Sequence, residues 1–174
     1  METLKGDPPA LVALCPPCTN EGGWFHLNRS KGDRLEYLQK AAQSRSYIRF
    51  CAKLFRLQVE LGGRAMSDHP LGAQTWRYPE IQTLMRRYHT VRCHMCQYGL
   101  KVPGSERFIR KATRLLCSHA NMLVLEKGCP GPKRPKHARH DHVAGSHVSV
   151  GALYKWLRRQ VPREVCESCL GHRS

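Results

Sequence analysis

An α/β fold with parallel strands is predicted from three observations. Short apolar runs of strand length alternate with segments of helical periodicity. The helical segments open on Pro or close on Gly, as helix ends do. Polar residues with chemical capability follow directly after two of the apolar runs. Alternation of this kind implies crossover helices and a sheet whose strands share a direction. Ligands then sit outside the carboxyl ends of the strands.

The elements follow in order. Leu11 to Leu14 reads as a short buried strand and ends at Cys15-Pro16-Pro17-Cys18. Residues 19 to 32 read as loop. Asp33 to Leu61 has helical spacing through Leu38, Ala41 or Ala42, Ile48, Ala52, Phe55 and Val59, with a bend expected near Ser44 and Ser46. Gly62-Gly63 stops it. The stretch RAMSDHP is a strand ending at Asp68-His69-Pro70. Pro79 opens a second helix carrying Ile81, Leu84, Met85 and Tyr88. In TVRCHM, Val91, Cys93 and Met95 share one face and Arg92 and His94 the other. CQYGLKVPGSE is loop, ATRLLCS a last strand and ANMLVLEK a short helix. Residues 128 to 147 are rich in Pro, Gly, His and Lys and are expected to be irregular or disordered. Ser149 to Gln160 has an amphipathic helical pattern through Val150, Leu153, Trp156 and Leu157.

The chain of 174 residues has room for one domain with a modest core. Its 29 Lys and Arg against 13 Asp and Glu give a formal charge of +16, which points to a polyanionic partner, most simply nucleic acid. The charge is clustered: residues 86 to 114 hold Arg86, Arg87, Arg92, Lys101, Arg107, Arg110, Lys111 and Arg114 against Glu106 alone. No apolar run is long enough to span a bilayer, and no membrane partner is expected. The amino terminus lacks a basic segment followed by a long apolar one, so no secretory signal is read. The nine cysteines are then expected as thiols in a nuclear or cytoplasmic protein.

Three stretches together resemble DNA cytosine-5 methyltransferases. ALVALCPPCT resembles the family's apolar strand ending in Pro-Pro-Cys. GRAMSDHP resembles its strand ending in Glu-Asn-Pro or Glu-Asn-Val. CQYG followed by RKATRLLCSHANML resembles a late segment of phage-type members. The stretches come in the family's order and cover roughly residues 8 to 142. They also resemble degenerate domains inside copia-type retrotransposon polyproteins of protists, in which His replaces Asn in the second motif. The resemblance implies the carboxyl-terminal half of a doubly wound, Rossmann-like methyltransferase sheet over residues 1–127. Residues 128–148 would be a Pro/His/Lys-rich loop, and residues 149–174 an amphipathic helix with a Cys-containing tail.

The family's chemistry explains the residue types. Cytosine C5 is a poor nucleophile, and a thiolate adding to C6 makes the ring an enamine that accepts a methyl group. Cys is the fitting nucleophile because it is partly ionised near neutral pH. A carboxyl group bonded to N3 draws electrons from C6, and a cation holds O2. The resemblance implies Cys18 as nucleophile, Asp68 in the glutamate's place and Arg110 as a cation near the base or phosphate. The sequence departs from the family at Asp68, at His69 and at Thr19, which follows the nucleophile. The family's cofactor is S-adenosylmethionine. The Gly-rich strand-to-helix turn that would hold it does not occur in these residues, so the chain alone is not expected to bind it or to transfer a methyl group. A partner chain or an upstream half would complete the sheet.

A basic nucleic-acid-binding module of a retrotransposon polyprotein is the alternative. The pairs Cys93/Cys96, Cys15/Cys18 and Cys166/Cys169 suggest zinc, but they stand about seventy residues apart. Cys117, His119, Cys129, His137, His140 and His142 add possible ligands without finger spacing. No metal-ligand set is assigned from the sequence.

Overall fold

The computed structural model describes residue 6 and residues 9–18, 34–102, 105–131 and 140–141. The strands are β1 (Leu11–Leu14), β2 (Arg64–Pro70), β3 (His89–His94), β4 (Phe108–Ile109), β5 (Ala112–Cys117) and β6 (His140–Asp141). The helices are α1 (Arg34–Glu60) and α2 (Pro79–Arg87), and 3-10 turns lie at Gln74–Arg77, Met95–Tyr98 and Ala120–Leu125. The expected loop at 19 to 32, the expected helix at 149 to 160 and most of 128–147 fall outside the described residues.

Helix α1 buries Ser44, Ile48, Ala52, Phe55 and Gln58, one face at spacings of three and four. It runs unbroken through the expected bend: Ser46 Oγ donates back to the Ala42 carbonyl at 3.2 Å and leaves the helix intact. Leu38, expected on the buried face, is 53% exposed. Length explains this. The 27 residues of α1 reach about 40 Å, whereas the 7 of β2 reach about 23 Å. The first turns therefore overhang the sheet. The helix ends in a Schellman closure, with Gly63 N–H on the Gln58 carbonyl at 2.9 Å and Gly62 N–H on that of Val59 at 3.0 Å. Gly62 adopts φ +81°, which a side chain would strain.

The four-stranded sheet has the order β1-β2-β5-β3. Strands β1 and β2 are parallel, while β5 runs antiparallel to both β2 and β3. This corrects the expectation of an all-parallel sheet. Between β3 and β5 the chain has no crossover helix. It makes a short excursion closed by Ile109 N–H on the Leu100 carbonyl at 2.9 Å, and re-enters beside β3. Without a crossover only an antiparallel return is open to it. The architecture is thus mixed α/β. Two elements escape the sequence pattern, β4 and β6, which pair with each other in parallel and are two residues each.

Each face of the sheet carries a core. Ile48, Phe55, Trp76, Ile81, Leu84 and Leu116 pack on the helix side. Met66, Val91, Cys93, Met95, Leu115 and Met122 pack on the other, under the 3-10 turns. Val91, Cys93 and Met95 face inward together, as their alternation implies. Among the described residues no helix is long and apolar enough to cross a membrane. The carboxyl ends of β1, β2 and β3 and the amino end of β5 share one edge of the sheet, and the residues singled out in the sequence lie along it, on both of its faces.

Candidate functional site

The parallel pairing of β1 with β2 runs to Leu14 opposite Ser67. One step further Cys15 comes level with Asp68, so the two motif turns leave the sheet side by side. A buried imidazole joins them. His69 Nε2–H donates to the Pro16 carbonyl at 3.0 Å. Its Nδ1 accepts from the Thr75 hydroxyl at 2.8 Å. A carbonyl only accepts, so the partners assign the neutral Nε2–H tautomer. Burial pushes the His69 pKa down to about 4, helped by the nearby Lys111 charge and opposed by the Pro16 bond. The ring stands edge-on to Trp76, whose indole N–H donates to the Pro70 carbonyl at 2.8 Å. Both turns are therefore held by hydrogen bonds as well as by prolines.

The expected site residues distribute along this edge. Cys18 is a free, half-buried thiol beyond the second proline, and Cys15 is exposed. Asp68 is 7% exposed. Being next to His69 on a strand, it faces the opposite side of the sheet, where its charge helps raise the Cys93 thiol. Burial is the larger cause there, and the Cys93 pKa is pushed up to about 12. Arg110 is exposed on the β4–β5 link, with its carbonyl accepting from Met95 N–H at 3.1 Å. The fold thus joins the Cys18 turn to the Asp68 strand through His69. It sets Arg110 farther along the edge, beside His94, whose pKa is lowered by burial first and then by the Arg110 charge. An apolar hollow lined by Pro16, Cys51, Phe55, Ser67, Thr75 and Leu116 lies on the helix side, away from the Asp68 face.

Two features of the edge escape sequence reasoning. The first is the role of His69 and Thr75, for which the only signal is the Asp-His-Pro turn itself. The second is the cross-strand register that sets Arg92 opposite Arg114. Like charges directly opposed across strands are destabilising. Neither forms an ion pair among the described residues. Arg114 lies over the Trp76 ring at 5.3 Å, and burial together with Arg92 lowers its pKa. Such a pair fits an anionic ligand.

Beyond β3 a third cluster forms. The sulfurs of Cys96 and Cys129 and a ring nitrogen of His140 lie within 4.8 Å of one another. Burial, reinforced by Cys129, pushes the Cys96 thiol up to about 11. Cys93 is not part of this group, because its side chain is buried in the apolar core. These three residues are the set in the described chain able to hold a metal.

Comparison with known protein families, with curated proteins and with solved structures returns no match.

Proposed function

We propose that this chain is a nucleic-acid-binding domain built on the carboxyl-terminal half of a DNA cytosine-5 methyltransferase-like sheet, of mobile-element origin, that receives an unstacked cytosine without transferring a methyl group on its own. The observation that carries the reading is the His69–Pro16 hydrogen bond across the parallel β1–β2 pair. It couples the Pro-Pro-Cys turn to the Asp-His-Pro turn at one edge of the sheet; because Asp68 lies on the other face of β2, a base must enter at the strand ends to reach both. The sheet is mixed, with β5 reversed between β2 and β3, so the reading rests on the one parallel pair, β1 with β2.

Each residue has a role in this reading. Cys18 supplies a thiol beside the C6 position of the base. Asp68, shielded from bulk water, offers a carboxyl group to a ring nitrogen, where a hydrogen bond is stronger than in water. The base must leave the duplex to reach them, at a cost that is lowest where it is unpaired. Arg110 and the Arg92–Arg114 pair take the phosphates. S-adenosylmethionine does not fit the residues present: the sequence contains no Gly-x-Gly turn, and α2 opens on Tyr78-Pro79. No step is routed through it.

The test compares binding to a duplex with one mismatched cytosine against the fully paired duplex. The mismatched duplex is expected to bind several-fold tighter, and Asp68→Asn to abolish that preference while leaving charge-driven affinity in place. Equal affinity for both duplexes would select the alternative, a basic module that reads only phosphates through Arg92 and Arg114.

A further inference from the structure

The Cys96, Cys129 and His140 side chains come from three separate segments. Cys96 lies in the 3-10 turn after β3 and is 3% exposed. Cys129 lies in the extended segment docked on the end of β3 by His94 N–H on the Lys127 carbonyl at 2.9 Å. His140 belongs to β6, opposite Phe108 of β4. Their donor atoms are close: Cys129 Sγ stands 3.4 Å from His140 Nε2. In a tetrahedral site with zinc–sulfur and zinc–nitrogen bonds of ordinary length, neighbouring donors are about 3.5–3.8 Å apart. The Cys129–His140 pair is therefore at coordination spacing, and the Cys96 sulfur lies within 4.8 Å of both.

The surroundings are arranged for a ligated thiolate. Gly131 N–H points at Cys129 Sγ at 3.4 Å, an amide donor of the kind that stabilises a metal-bound sulfur. That contact needs the tight turn made by Gly131 at φ +66°. His94 Nδ1 accepts from the Cys129 backbone N–H at 2.7 Å and fixes the residue from behind. A structural need exists as well. Strands β4 and β6 have two residues each, too few to persist by pairing alone.

We infer that Cys96, Cys129 and His140 form a zinc site that clips the 3-10 turn after β3, the segment after the third 3-10 turn and the β4–β6 pair into one unit. Two thiolates and an imidazole select a borderline-soft cation over calcium or magnesium. On binding, each thiol gives up its proton to solvent and the imidazole binds neutral, so uptake is pH-dependent. The fourth position is filled from outside these three side chains. The inference is independent of base recognition at the other end of the edge.

The full chain, purified under reducing conditions and supplied with zinc, is expected to hold about one ion per chain. Loaded with cobalt, it should show the visible bands of a tetrahedral site together with thiolate-to-cobalt charge transfer. Alkylation followed by peptide mass mapping then locates the ligands in the unmutated protein. Zinc should shield Cys96 and Cys129 while Cys15 and Cys18 stay reactive. Cys129→Ser should lose the charge-transfer band, and Cys51→Ser should keep it. The inference is overturned by absence of zinc and cobalt uptake, by shielding that falls on other cysteines, or by a Cys96–Cys129 disulfide that persists under reduction and blocks the metal.

Discussion

At the scale of single residues, His69 carries more consequence than its neighbours. Its folded pKa of about 4 lies below the ordinary 6.5, so between these values the unfolded chain binds the extra proton. Stability from this group is fully present above pH 6.5 and falls as pH drops toward 4, where it levels off. The span corresponds to about 3 kcal/mol at most. Denaturant midpoints measured from pH 8 to 4 should fall steeply through this window in the parent chain. His69→Gln should flatten the fall, leaving the smaller contribution of His94, whose pKa is lowered for the same reason, burial. An unchanged slope in the variant would mean that the imidazole is not held neutral between Pro16 and Thr75. Asp68 shows how a strand divides labour: one residue away from His69, it serves the opposite face.

At the scale of elements, helix α1 shows where periodicity and burial part. Its carboxyl-terminal half lies on β1 and β2, and its first turns project beyond them. Ile48 is 0% exposed and Leu38 is 53% exposed, although both fit the same helical pattern. Ile48→Ala is therefore expected to cost about 2–5 kcal/mol, and Leu38→Ala less than about 0.5 kcal/mol, in chemical denaturation. A large loss from Leu38→Ala would show that the overhanging turns are covered. Gly62 is a second element-scale test. Its φ of +81° closes the Schellman turn, and Gly62→Ala should lower stability by about 1 kcal/mol with the fold retained.

At the scale of the whole molecule, charge and topology meet on one edge. The formal charge of +16 underlies the proposed nucleic-acid binding. The reversed strand β5 brings Arg114 between His69 and Arg92, three residues from three strands in one row. If this row engages phosphates, the affinity for duplex DNA falls linearly in log–log form with salt. Arg92→Ala and Arg114→Ala should each reduce that slope by about 0.9. Arg86→Ala, on the exposed end of α2, should change it less. Equal effects at all three sites would mean that the basic surface acts as a diffuse coat.

How much was legible beforehand depends on how local the cause is. Strand β1, strand β2, the Pro79 start of α2 and the inward face of Val91 and Cys93 follow from apolar alternation and backbone stereochemistry. Both act over a few residues, and so the sequence alone determined them. So too the adjacency of the two motif turns was readable, because a single crossover helix between short strands places them side by side. The direction of β5, the short β4–β6 pair and the convergence of Cys96, Cys129 and His140 were not readable. They depend on which segments dock against the end of β3, and pairings between residues far apart in sequence, such as Phe108 with His140, leave no periodic trace. Only the tertiary structure decided that three thinly spaced ligands would meet, because closing those loops is settled by packing over the whole sheet.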